Sequence, residues 1–75
     1  VNKKITIITT NNVVVLVRIT SLISRFRAKL KEIIVKEEKN SQLFIIKIIL
    51  NGEEQTITRI KNLIEKQIDV VSVQV

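Results

Sequence analysis

The sequence predicts one α+β domain of βαββαβ order, the ferredoxin-like arrangement in which two helices lie on one face of an antiparallel four-stranded sheet. Three observations predict it. The 75 residues suffice for one domain with a single thin core. Four stretches of strand character are interleaved with two stretches of helical spacing, strand and helix alternating at the two ends of the chain. The connections are short, and right-handed crossovers across short loops bring both helices to the same side of the sheet.

The first strand, β1, spans about residues 3–10, where Ile5 and Ile7 alternate with polar neighbours. Asn11 and Asn12 follow, a residue type that suits turns and helix N-caps. The first helix, α1, is expected over about 14–27. Leu16, Ile19, Ile23 and Phe26 recur there every three or four residues, with Val15 and Leu22 beside them. Arg18, Ser21, Ser24, Arg25 and Arg27 take its other side, and the late cations suit the negative end of the helix dipole.

Strand character returns in β2, about 29–37, with Leu30, Ile33, Ile34 and Val35, and the polar run Glu38 to Ser41 connects it to β3, about 42–50. Apart from Lys47, β3 is apolar from Leu43 to Leu50, so both of its faces call for cover. Two helices on one side of a sheet provide only half of that. Phe44, Ile46 and Ile48, or else Leu43, Ile45 and Ile49, are therefore expected to meet another subunit. As an edge, β2 offers unpaired backbone groups that can extend a sheet across a dimer. Asn51 is expected to cap the second helix, α2, at about 53–66, with Glu54 as its third residue and Ile57, Ile60 and Ile64 as its apolar stripe. The last strand, β4, about 68–75, alternates Val71, Val73 and Val75 with Ser72 and Gln74.

The missing residue types narrow the chemistry. The chain has no His, Cys, Met, Trp, Tyr or Pro and one glycine, Gly52. Without His or Cys, zinc and soft-metal sites lose their usual ligands, and the commonest general base and thiol nucleophile are absent. The seven acidic residues are scattered, so neither catalysis nor a cofactor is expected. No run of apolar residues approaches a membrane span and no signal peptide is visible, which makes a cytoplasmic, membrane-free protein the expectation. Thirteen Lys and Arg against seven acidic residues give a net charge of +6, which favours anionic partners. Two phenylalanines are too few for a base-stacking sheet, so nucleic acid is not the expected partner.

Three segments carry a family resemblance. Thr9-Thr10-Asn11-Asn12-Val13-Val14-Val15-Leu16-Val17-Arg18-Ile19-Thr20 resembles the first loop and helix of ACT domains, and the likeness is nearest to the small regulatory subunits of acetolactate synthases. Ile64-Glu65-Lys66-Gln67-Ile68-Asp69-Val70-Val71-Ser72-Val73 is similar to the second helix and last strand of those subunits, and Ile23-Ser24-Arg25-Phe26-Arg27 to the basic end of their first helix. The resemblance implies a regulatory, non-catalytic domain that forms homo-oligomers and docks on a catalytic subunit of acetolactate synthase. It also implies an effector site for an amino acid at a subunit interface, formed by Asn11, Asn12, Val13 and Val14, with Lys29 across the cleft.

The sequence departs from the family at three of these places. Gly is usual where Val14 stands, because backbone must approach the ligand there, and Val14 adds a Cβ and disfavours positive φ. Val17 precedes the helix arginine where asparagine is common, and Lys29-Leu30-Lys31-Glu32 replaces an Asn-Ile-x-Ser opening of β2. The effector site is accordingly expected to be degraded, with no binding of valine. A second reading stays open, a designed or redesigned ferredoxin-like scaffold that self-associates and has no natural ligand.

Overall fold

The computed structural model describes residues 1–10 and 12–75, with Asn12 described by its backbone; the expected turn residue Asn11 lies outside the described residues. The order is β1 (Asn2–Thr9), α1 (Asn12–Arg25), β2 (Lys29–Glu37), β3 (Phe44–Asn51), α2 (Glu54–Glu65) and β4 (Val70–Gln74). The strands form one sheet in the order β2-β3-β1-β4, with each neighbouring pair antiparallel. Two split βαβ units interlock in this way, because β3 lies between β1 and β2, and β1 between β3 and β4. The ferredoxin-like arrangement expected from the sequence is the one found.

The core lies between the helices and one face of the sheet. Ile5 and Ile7 of β1 and Ile46, Ile48 and Leu50 of β3 meet Val15, Ile19 and Ile23 of α1 and Ile57, Ile60 and Ile64 of α2. Register explains the selection. Ile5 opposes Ile48 and Ile7 opposes Ile46, so alternate residues of the two central strands share a face. Of the two sets proposed for the outer face of β3, that of Phe44, Ile46 and Ile48 alternates on the helix side instead, and Leu43 of the other precedes the strand. Ile46 and Ile48 are core residues, whereas Ile45 and Ile49 lie on the sheet face away from the helices with Lys47 between them.

Element boundaries differ from expectation by one or two residues, α1 beginning already at Asn12, and three of the shifts and the missing Asn51 cap have a visible local reason. α1 stops at Arg25 because Arg27 takes a left-handed conformation, φ 58°. The amide of Arg27 then donates to the carbonyl of Ser24 (3.2 Å) and that of Ala28 to Ile23 (3.1 Å), the two bonds of a Schellman ending. β3 starts at Phe44 because Gln42 is likewise left-handed, φ 55°. β4 starts at Val70 because Ile68 and Asp69 remain in the turn that follows α2. Asn51 does not cap α2. It stays in β3, its Nδ2 donates to Asn2 Oδ1 at 2.7 Å, and Glu53 occupies the N-cap position without a side-chain cap bond.

The helix layer covers β2 only in part. Leu30, Ile33 and Val35 oppose Leu50, Ile48 and Ile46, and so share the helix-facing side of the sheet. They remain 36%, 37% and 38% exposed nevertheless. All nine residues of β2 are exposed.

Candidate functional site

The end of the sheet at Thr9 is where the effector turn was expected. Thr9 is fully buried, and its Oγ1 donates to the carbonyl of Asp69 at 2.7 Å. The amide of Thr10 donates to the same oxygen at 2.9 Å. These bonds fasten the end of β1 to the turn between α2 and β4, and a fixed turn fixes the cleft beside it. That cleft has a volume of about 280 Å³ and is walled by Val14 and Arg18 of α1 and by Lys66 to Asp69 of the turn.

The structure sorts the expected site residues into two groups. Val13 and Val14 belong to the first turn of α1, which begins at Asn12, and Val14 lies on the wall of the cleft. Val14 is helical, and positive φ among the described non-glycine residues is confined to Arg27 and Gln42. What Val14 brings to the site is therefore the bulk of its side chain, not backbone strain. Lys29 is elsewhere. It opposes Asn51 at the far end of the sheet, whereas Thr9 opposes Phe44 at the near end. Within one chain, then, Lys29 does not meet the β1–α1 end.

Other contributors were not evident from sequence spacing. Arg18 and Gln67 line both this cleft and a second recess, of about 390 Å³, that continues between α1 and α2 past Ser21, Leu22, Arg25 and Leu63. The guanidiniums of Arg25 and Arg59 both lie against the Phe26 ring, 5.6 and 5.8 Å from its centre, in cation–π contact. A third recess opens there on the outer side of α2, lined by Phe26 and Arg59 among others. Only the arginines of α1 had a sequence signal, as a basic helix face.

Comparison with known proteins follows the geometry. No family model matches the sequence, and no curated protein matches it significantly. Solved structures do match in fold. The small subunit of acetolactate synthase from Thermotoga maritima superposes with a TM-score of 0.80 at 23% identity, over 99% of this chain and 46% of that one. This chain therefore spans about half the length of that subunit. The ACT domain of GTP pyrophosphokinase from Chlorobium tepidum gives 0.77 at 18% identity, over 97% and 94% of the two chains. The C-terminal domain of the MgtC protein from Mycobacterium tuberculosis gives 0.81 at 14% identity, over 97% and 82%. Proteins with such different names share this arrangement, so the likeness carries the architecture and leaves the function to the site. The fold of this chain is the ACT-type ferredoxin-like fold.

Proposed function

We propose that this chain is a non-catalytic regulatory domain that pairs with a second copy along β2 and docks on a catalytic partner, in the manner of the acetolactate synthase small subunits it resembles. The observation that carries the reading is the exposure of β2 along its whole nine-residue length, with Leu30, Ile33, Ile34 and Val35 each more than a third exposed. A long edge strand with exposed aliphatic residues offers both backbone hydrogen bonds and apolar area to another strand.

The sequence of β2 suits an antiparallel copy of itself. Centred on Ile33, such a pairing sets Lys29 against Glu37 at both ends and Ile33 against its own counterpart. It also accounts for Lys29. The partner's β2 runs the other way and carries that lysine to the end of the sheet where Thr9, Phe44 and the first turn of α1 lie. The effector site becomes a two-copy site on this reading, and Val14 and Lys29 occupy it where the family has Gly and Asn. We infer that it is degraded and that the domain no longer takes valine.

The chain contains no cysteine, so a single introduced thiol reports the pairing. Under mild oxidation Ile33→Cys is expected to give a disulfide-linked dimer, whereas Ile8→Cys, on the open sheet face, remains monomeric on a denaturing gel. Cross-linking through Ile8→Cys alone would place the interface on the open face and overturn the β2 assignment.

A further inference from the structure

The outer half of α1 breaks the rule for a surface helix. Val13, Val14 and Val17 point away from the Val15–Ile19–Ile23 stripe, and Val17 is 60% exposed. The first turns of α1 thus set exposed aliphatic residues among the polar ones of its outer face, and a contiguous exposed apolar patch marks an interaction surface. Across the cleft from Val14, Ile68 is 100% exposed at the tip of the α2–β4 turn. Ordinary scattered surface residues do not line both walls of one cleft.

Charge gathers beside these aliphatic groups. Arg18 and Arg25 on α1, Arg59 on α2 and Lys66 after it all line the recesses along the outer side of the helix pair, against one carboxylate, Asp69, among the described lining residues. The acids of α2 lie elsewhere, with Glu54 near Lys3 of β1 (3.9 Å) and Glu65 bonded to Lys61 (2.7 Å). Arg25 and Arg59 are moreover drawn to one ring, Phe26, which concentrates two positive charges at the end of the groove away from Ile68. Neighbouring like charges are unfavourable until an anion lies between them.

The structure assigns this groove to an acidic segment of a partner protein, whose aliphatic anchor seats between Val14 and Ile68 while its carboxylates pair with Arg18, Arg25 and Lys66. The assignment rests on the proposed regulatory role and gives its docking step a surface on the helix side of the molecule, which shares Val14 with the proposed two-copy effector end. A second copy of this chain is a poorer occupant, because an isologous contact here opposes the same three cations to themselves.

The test uses the full chain, labelled with nitrogen-15, and three probes: a helical Glu/Leu peptide with Leu at i and i+4, the same peptide with Lys for Glu, and a single-stranded oligothymidine. The Glu/Leu peptide is expected to shift the amides of Val14, Arg18, Arg25 and Ile68, and to lose affinity with added salt. Arg18→Glu with Arg25→Glu should weaken it about tenfold or more, and the solvent-exposed Ile68→Ser should weaken it with the fold intact. The Lys/Leu peptide should leave those amides in place. No shift with the Glu/Leu peptide, equal binding of the Lys/Leu peptide, shifts confined to the sheet, or equal binding of oligothymidine in the groove would each overturn the assignment. Sedimentation of the same variants separates the two claims. If Arg18→Glu with Arg25→Glu dissociates a dimer, the groove is a self-contact and the assignment fails; if the unaltered chain is a dimer yet does not bind the Glu/Leu peptide, the groove assignment fails and β2 pairing stands.

Discussion

Arg27 is the position where the chain departs most plainly from ordinary preference. A Cβ in the left-handed region is disfavoured, and glycine normally takes the residue after a Schellman cap. Arg27→Gly removes that strain at some cost in unfolded-state entropy, so a net gain of about 0.5–1 kcal/mol is expected in urea unfolding. A loss of stability would mean that the arginine makes contacts outweighing its backbone. Thr9 is the opposite case, a buried hydroxyl whose bond to the Asp69 carbonyl fixes the α2–β4 turn. Thr9→Val keeps the shape and removes that bond, and should cost about 1 kcal/mol while loosening the amide protection of Ile68 and Asp69. At the effector end, calorimetry of the unaltered chain with valine should give no binding heat. Val14→Gly together with Lys29→Asn should begin to restore it. Strong heat from the unaltered chain would show that the Val14 side chain is no obstacle.

At the scale of elements, most of the architecture was legible because period and punctuation agree. The stripe of Ile57, Ile60 and Ile64 makes α2 unambiguous, and the alternation of Ile5 and Ile7 makes β1 so. The boundaries that moved did so where backbone conformation, invisible to hydropathy, intervened, as at Arg27 and Gln42. Ile68 misled for the same reason. It reads as the first residue of an alternating strand, yet it stands in the turn, fully exposed. The groove cations were less legible still, because Arg59 and Lys66 meet Arg18 and Arg25 only through the packing of α1 beside α2. At β2, Ile33→Lys places two ammonium groups opposite each other in the proposed pairing. It should weaken association at least about tenfold by dilution-dependent light scattering. The far-ultraviolet dichroism should be unchanged, since the residue is already 37% exposed in the single chain.

For the molecule as a whole, the described core sets six aliphatic residues of the helix layer against five of β1 and β3, and leaves β2 and the outer α1 surface exposed. Fully burying a Leu, Ile or Val side chain is worth roughly 1.5–3 kcal/mol, and about a third of that remains to be gained at each of Leu30, Ile33, Ile34 and Val35, so apolar burial adds to the backbone hydrogen bonds in the proposed pairing. A net charge of +6 suits the acidic partner proposed above. Among the described residues no helix is long and apolar enough to cross a membrane. Sedimentation equilibrium of the unaltered chain, across a wide concentration range, tests the pairing most directly. A species of twice the 8.6 kDa chain mass is expected, shifting to the single-chain mass in Ile33→Lys. A monodisperse 8.6 kDa species at high concentration would contradict it.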